Sequence, residues 1–158
     1  MTCISTIGTQ TRLDVHELLS HFAHCLDHDR GAEWANLFTM DGVYQCGTTV
    51  LDGPEELATV PTRIHTLGHG GWRHVITAVA IERTNRPKEL VIRAYCPVMD
   101  LNEGNGMAAF FDLEFTLRFT SQWRIANALA TRVGARADRY VGAAAQVAVA
   151  PDAAVLLQ

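Results

Sequence analysis

The order of apolar and polar positions divides this chain into a helical first half and a strand-rich second half. Apolar residues recur at helical spacing from Leu13 to Leu26, and Asp14 is a candidate N-cap for that helix. After a polar corner, a second short helix is predicted over residues 31–38, where the large apolar side chains fall on one face.

Shorter elements follow this helical pair. Asp41–Gly42 predicts a turn, and Val43–Cys46 predicts a short strand. A third helix is predicted from Pro54 to Gly68, because proline suits the first turn of a helix, glutamates follow it, and glycine suits a helix end. Pro61 is expected to bend that helix or to end it early.

From residue 72 onward the apolar pattern changes to the two-residue period of strands. Four long strands separated by turn-forming residues are predicted, over 72–82, 89–101, 107–120 and 122–133. Helices followed by strands indicate an α+β fold, a cone-shaped curved antiparallel sheet wrapped over three N-terminal helices. Such a cone has an apolar interior that suits a small molecule.

Composition limits the class of protein. The 158 residues are 48% hydrophobic with a net charge of −4, so we expect one domain over 1–158, with a core at 13–134 and an Ala-rich tail at 135–158. The acidic balance argues against nucleic acid as a partner. No apolar run is long enough to span a membrane, and no signal peptide is evident. Four cysteines without CxxC spacing predict reduced thiols in a cytoplasmic protein.

Asp27 is the first candidate for chemistry. On a helical projection it lies on the flank of the apolar stripe that contains Phe22 and Leu26, whereas His24 and His28 lie on the side facing water. Asp27 can therefore turn inward while the histidines cannot easily follow. The alternative is an exposed carboxylate at a helix end, which is the commoner situation for an isolated Asp.

His74 is the second candidate. The pattern predicts a strand in which His74 shares an apolar face with Ile76, Ala78 and Ala80. A histidine there is often a hydrogen-bonded core residue. Paired with Asp27, it would be held in one tautomer and could act as a general base.

Neither a metal nor a cofactor is expected. His21, His24 and His28 have a spacing that can hold zinc, but they point away from the predicted cavity and no further ligand completes the set. The Gly-rich segment around His65 and His69 lacks the lysine and the strand–loop–helix context of a phosphate loop, so it is interpreted as a mobile mouth of the pocket.

The chain resembles the nuclear transport factor 2-like superfamily, in its SnoaL-like branch. The resemblance covers about Leu13 to Val133 and is carried by HCLDHDRGAEWANLFTMDGVY, DGPEEL, WRHVITAVAIE and TSQWRIANALATRV. It implies the conical fold and a site like those of scytalone dehydratase and the hexachlorocyclohexane dehydrochlorinase, which pair an Asp and a His at the positions of Asp27 and His74. The second catalytic His of scytalone dehydratase is missing here, where Val98 or a neighbour stands. Arg118 lies near an arginine of the dehydrochlorinase but falls on the polar face of its strand.

These observations predict a small cofactor-independent lyase or isomerase that uses Asp27 and His74 on an apolar small molecule. A hydrolase with dyad-activated water, and a non-catalytic binding or assembly domain, remain alternatives. The resemblance further implies a homodimer or homotrimer. The expected substrate-binding residues, drawn from the predicted inner surface, are Phe22, Leu26, Trp34, Tyr44, Trp72, Ile76, Cys96, Phe111, Leu113 and Asn127.

Overall fold

The computed structural model describes residues 7–102, 104 and 106–134. The helices of this part are α1 (Thr9–Asp27), α2 (Gly31–Ala35), α3 (Gly53–Leu57) and α4 (Val60–Leu67). The strands are β1 (Phe38–Cys46), β2 (Thr49–Asp52), β3 (Trp72–His74), β4 (Thr77–Arg83), β5 (Glu89–Asp100), β6 (Gly106–Phe119) and β7 (Trp123–Arg132). The predicted tail, 135–158, lies outside the described residues. No helix in the described ranges is long and apolar enough to cross a membrane.

Helix α1 begins one turn earlier than the apolar pattern predicts. Gly8 occupies the N-cap position without a side-chain cap, so Asp14 lies inside the helix, where its Oδ1 accepts a hydrogen bond from Gln10 Nε2 at 2.7 Å. The buried stripe follows the predicted spacing and comprises Val15, Leu18, Leu19, Phe22, Ala23, Cys25 and Leu26, ending at Asp27.

The strands form one seven-stranded sheet in the order β2–β1–β7–β6–β5–β3, with β4 also paired to β5. The predicted class, an α+β fold with a curled sheet over the helices, is confirmed. The expectation of a purely antiparallel sheet needs one correction, because β1 pairs with β7 in parallel. These two strands are separated by residues 47–122, about half of the chain, and parallel strands need a crossover connection of at least about a dozen residues.

After α1, the first half differs from prediction in the third helix, in the start of β1 and in β2, a strand that the pattern does not predict. The third helix is divided into α3 and α4 around Thr59, and Pro61 lies in the first turn of α4, where its missing N–H costs no helical hydrogen bond. Strand β1 starts at Phe38, and the predicted turn at Asp41–Gly42 is an irregularity within it. A Cβ on Gly42 would lie 2.7 Å from the Phe38 Cβ, so only glycine fits this irregularity without a shift.

The core lies between α1 and the inner face of the sheet. On β6 the predicted alternation is confirmed: Phe111, Leu113, Phe115 and Leu117 are buried. Phe22 of α1 contacts Trp34 and Phe115, with ring centroids 5.1 and 5.2 Å apart. Burial of each such ring stabilises the fold by about 1.5–3 kcal/mol, so this aromatic cluster fixes α1 against the sheet.

Two irregularities reverse the predicted facing of side chains. Ala78 has a left-handed backbone (φ 51°), and the register of β4 shifts there, so Ala78 and Ala80 are exposed instead of sharing the inner face with His74. In β7 the register shifts beside Ala126, and Asn127 pairs with Thr116 on the outer face of β6. The prediction that Asn127 faces the interior is therefore wrong, because an extra residue in one strand changes which face every later residue occupies.

Candidate active site

Asp27 turns inward at the point where α1 ends. It is 8% exposed, and within the described ranges it is the one charged residue that is buried. The following residues leave the helix at once, since His28 is the C-cap and Asp29 has a left-handed backbone (φ 54°). The helix end therefore places the Asp27 carboxylate in the interior while His28 and Asp29 stay in water, as predicted.

His74 meets this carboxylate through two groups. Its ring Nδ1 lies 2.7 Å from Asp27 Oδ1. Its backbone N–H donates to both carboxylate oxygens, at 3.1 and 3.2 Å. Because an ionised carboxylate only accepts, Nδ1 carries the proton in this arrangement. The other ring nitrogen, Nε2, has no hydrogen-bond partner among the described residues and is left as the basic atom.

The fold explains why these two residues meet. His74 is the last residue of β3 and pairs with Val98 of β5, whose side chain is buried on the inner face. Directly paired residues share a face, so the ring points inward, towards the C-terminal end of α1. Val98 thus occupies the neighbouring inner position, where the resemblance would require a second histidine for scytalone dehydration.

The Cys96 thiol lies close enough to Asp27 for the two to interact, and Tyr44 and Cys46 are buried in the same core. Burial and, to a smaller extent, the charge of Asp27 together raise the pKa of the Cys96 thiol to about 12. Burial also raises the pKa of Tyr44 well above its ordinary value, and its hydroxyl shares a hydrogen bond with the Cys46 sulfur. These groups are therefore neutral near pH 7.

Arg132 is an inner-face residue that the sequence reasoning did not single out. It pairs with Phe111 across β6 and β7, and Phe111 pairs with Cys96 on β5, so the three residues form one row across the inner face. Its positive charge lowers the pKa of the Cys46 thiol against the opposing effect of burial. The signal for Arg132 is the two-residue spacing of Ala128, Ala130 and Arg132. These three residues share one face of β7 once the irregularity at Ala126 is taken into account.

The predicted substrate-binding residues fall into three groups. The first is buried in the continuous hydrophobic core and comprises Phe22, Leu26, Trp34, Tyr44, Cys96, Phe111 and Leu113. Trp72 and Ile76 are half-buried at the margin of that core, and Asn127 is on the outer face. In the first group, the Trp34 indole Nε1 is buried without a hydrogen-bond partner among the described residues.

The segment predicted to form a mobile mouth is tied to the sheet. Asn102 Nδ2 donates to the Gly68 carbonyl at 2.9 Å, and the Leu101 N–H donates to the Gly71 carbonyl at 2.9 Å. A Cβ on Gly68 would overlap the Trp72 ring, so glycine is needed for the ring to pack there. These contacts connect the end of α4 to the end of β5 and fix the start of β3, where His74 stands.

The histidines on the outer side of α1 are exposed, as predicted. His21 Nε2 lies 3.9 Å from Glu17 Oε1, and the His24 and His28 rings stack with centroids 6.0 Å apart. Within the described ranges no group of three or more His, Cys, Asp or Glu residues is arranged to hold a metal ion.

A cavity of about 710 Å³ opens at the other end of α1. Gln10, Thr11 and Asp14 line it, together with the turn from Arg83 to Glu89 and the rings of Phe119 and Trp123. Thr11 and Asp27 are about 24 Å apart along the helix, at 1.5 Å per residue. This cavity is therefore separate from the dyad.

Comparison with known proteins identifies related families and folds. A family model described as a SnoaL-like domain matches residues 9–128. No curated protein matches the sequence.

Solved structures agree at the level of the fold. A nuclear transport factor 2-like protein with a cystatin-like fold from Novosphingobium aromaticivorans aligns with a TM-score of 0.72 at 18% identity, covering 94% of this chain and 90% of its own. A function-unknown protein from Mycobacterium tuberculosis aligns with a TM-score of 0.72 at 20% identity, covering 95% and 89%. A protein provisionally assigned as a scytalone dehydratase, also from N. aromaticivorans, aligns with a TM-score of 0.67 at 16% identity, covering 80% and 89%.

Proposed function

The chain belongs to the SnoaL-like domain family, and on that premise we propose that it is a cofactor-independent lyase or isomerase of the dehydratase type. The observation that carries the proposal is the 2.7 Å contact between His74 Nδ1 and Asp27 Oδ1, made by two side chains that are 10% and 7% exposed. The provisional assignment of one structural relative as a scytalone dehydratase is in keeping with this chemistry.

In this mechanism His74 is the general base. Nε2 removes a proton from a substrate carbon next to a carbonyl group, and the electron pair of that C–H bond forms a new C=C bond. In an elimination, the leaving group departs with its own electron pair, and a departing hydroxide takes the proton back from His74 and leaves as water. In an isomerisation, the same proton returns to another carbon. Both routes regenerate the neutral imidazole.

Asp27 is given two tasks. It holds His74 in the tautomer with a basic Nε2, and its negative charge stabilises the imidazolium that forms after proton transfer. In Ser-His-Asp enzymes, loss of the equivalent carboxylate lowers kcat by about 10⁴. An effect on the order of 10³–10⁴ is expected here for Asp27→Asn.

Arg132 is the candidate for stabilising negative charge on the substrate. It lies on the same face as His74, three strands away (about 14 Å at the usual strand spacing) and two residues off along the strands (about 7 Å), or roughly 16 Å between backbones. The arginine and histidine side chains cover part of this distance, and the substrate would have to span the rest. A guanidinium placed there favours an enolate-like intermediate.

The test uses isotope exchange with defined probes. The purified protein is incubated in D₂O with aromatic and alicyclic β-hydroxy ketones, and C–H exchange and loss of water are followed by ¹H NMR. We expect exchange with at least one probe, loss of that exchange in His74→Gln and Asp27→Asn, and no change in His28→Gln, an exposed histidine one residue after Asp27. Exchange that persists in His74→Gln would rule out His74 as the base.

A second candidate function has its own supporting observation. Seven predicted wall residues are buried in a continuous core, which favours a non-catalytic binding domain that keeps the Asp27–His74 pair for structure. Nitrogen-15 NMR of the His74 ring separates the two functions. A ring protonated on Nδ1 and reached by a dissolved paramagnetic relaxation agent supports the enzyme, whereas a ring that the agent does not reach supports the binding domain.

The proposal also includes the substrate class and the oligomeric state. The substrate is expected to be an apolar small molecule and the protein a homodimer or homotrimer. The outer face offers a contact surface, because Tyr95 is 52% exposed and its ring lies 6.1 Å from that of Phe110. Light scattering tests this, and a monomer at micromolar concentration would contradict it. The cytoplasmic location stays a prediction.

A further inference from the structure

The cavity of about 710 Å³ at the N-terminal end of α1 has no task in the proposed reaction. We infer that it is a second binding site, for a small organic anion that carries an aromatic ring. Its volume falls within the range of small-molecule sites, about 300–1,000 Å³. Because it lies about 24 Å from Asp27, the inference stands independently of the proposed function.

The charges around the cavity leave positive groups without partners. Three cations line it, Arg83, Arg86 and Lys88, against two acids, Asp14 and Glu89. Glu89 is already paired, since it lies 3.7 Å from Arg86 and 3.7 Å from Arg118. Asp14 accepts a hydrogen bond from the neutral amide of Gln10 and keeps its charge, so the lining carries a net charge of +1.

Arg83 and Lys88 consequently differ from the other charged groups of the cavity. Neither side chain forms a hydrogen bond or an ion pair within the part of the chain that the structure describes. In a protein with a net charge of −4, a cavity whose lining has a net charge of +1, with two cations free of ion pairs, is a place of local positive potential that attracts an anion.

The start of α1 adds to this potential. Gly8 provides no side-chain cap, and the first turn contains no acidic residue. Its free N–H groups and the helix dipole therefore present partial positive charge, and the first-turn residues Gln10 and Thr11 line the cavity.

The cavity also has an apolar wall that suits a ring. Phe119 and Trp123 contact each other edge to face, with centroids 5.3 Å apart. Leu90, which is 2% exposed, lies beside them. A flat ring packs on such aromatic surfaces, while a carboxylate or sulfonate attached to it reaches the cations at the rim.

Residues 1–6 are a poorer occupant on charge. They contain no acidic side chain, so they would leave Arg83 and Lys88 without an ion-pair partner. A free organic anion matches both the positive charge and the ring surface.

The test titrates the full chain with naphthalene-2-carboxylate and with its neutral isostere, 2-naphthalenemethanol, followed by ¹H–¹⁵N NMR. We expect the carboxylate to shift the Trp123 indole signal and the Gln10 and Thr11 amides, with an affinity several-fold above that of the alcohol. The Arg83→Gln/Lys88→Gln variant should weaken carboxylate binding by about two- to five-fold for each cation. Arg63→Gln, which removes an exposed cation from α4, and His74→Gln should leave it unchanged.

Three results would overturn the inference. The first is equal affinity for the carboxylate and the alcohol, or no binding of either. The second is full affinity in the double variant. The third is a set of nuclear Overhauser contacts between the Trp123 ring and residues 1–6 or 135–158 in the free protein, which would show that the chain itself fills the cavity.

Discussion

The two ends of α1 place charge in opposite ways. At the C-terminal end a single carboxylate, Asp27, is buried and bound by the ring and the backbone N–H of His74. At the N-terminal end several charges surround an open cavity, and Arg83 and Lys88 have no ion-pair partner within the described residues. One end fixes one charge in a low-dielectric interior, and the other leaves several charges in water.

Buried and exposed charges therefore have different roles at the two ends of α1. A buried, doubly bound carboxylate interacts strongly with its partner because little water screens it, and it can therefore hold a base in one tautomer. Exposed cations attract an anion over a distance of about one Debye length but contribute little to folding. The end with the dyad should therefore control stability and chemistry, and the end with the cavity should control salt-dependent recognition.

The largest expected effect is on the free energy of unfolding, and it tests whether the packing next to the dyad contributes most of the stability. Phe115 is 1% exposed and contacts Phe22 edge to face at 5.2 Å. Phe115→Ala should lower the free energy of unfolding by about 3–5 kcal/mol. Phe119→Ala, four residues later beside the cavity and only half-buried, should cost clearly less. Urea unfolding measures both, and equal losses would contradict a division of stability between the two ends.

The next effect concerns the dyad itself. Asp27→Ala removes the acceptor of two His74 donors, and leaving such groups unpaired in the interior costs about 1–3 kcal/mol. A loss of about 2–3 kcal/mol in urea unfolding is expected. Asp29→Asn is the control, because Asp29 is exposed, accepts one hydrogen bond, from Thr62 at 2.6 Å, and has a left-handed backbone that Asn tolerates and Ala does not. If both variants lose the same stability, the Asp27–His74 contact is not special.

Local periodicity was sufficient to predict most of this fold. The stripe of α1 and the alternation of β6 each need only one element, and both are observed. The inward turn of Asp27 was predicted from the helical projection together with the family resemblance, since the projection by itself places Asp27 only on the flank of the apolar stripe. The family resemblance then suggested His74 as its partner.

The failures arise where one residue changes the register. The expected facing of Asn127 assumed that β7 is regular, and the irregularity at Ala126 reversed it and also concealed Arg132. The left-handed backbone at Ala78 likewise reversed the expected facing of Ala78 and Ala80 in β4. Strand β2 and the parallel pairing of β1 with β7 depend on contacts between distant segments. Neither a bulge nor a long-range pairing leaves a periodic signal within a single strand.

The pH dependence of the free energy of unfolding tests the burial of Cys96 next to the dyad. The folded Cys96 thiol has a pKa of about 12, raised by burial and by Asp27 from an ordinary value of 9.0. Between pH 9 and 12 the unfolded chain loses a proton that the folded chain retains, so the free energy of unfolding falls as pH rises. Its share is about 1.4 kcal/mol per pH unit.

Chemical denaturation at pH 8, 9 and 10 measures this slope. Tyr44, Cys25 and Cys46 also have raised pKa values and act in the same direction, so Cys96→Ala should make the decline shallower without abolishing it. The comparison uses slopes, because the loss of packing in the variant is the same at every pH. An unchanged slope in Cys96→Ala would mean that the thiol is reached by water.

The smallest effect is expected at the cavity end. Arg86 is exposed, and its guanidinium lies 3.7 Å from Glu89 Oε2, which also lies 3.7 Å from Arg118. Because Arg118 stays in place when Arg86 is replaced, Arg86→Gln should change the free energy of unfolding by less than about 0.5 kcal/mol. Any change should vanish in 0.5 M NaCl, since exposed pairs are screened. A salt-resistant loss above about 1 kcal/mol would place a structural ion pair at this end and remove the contrast with Asp27.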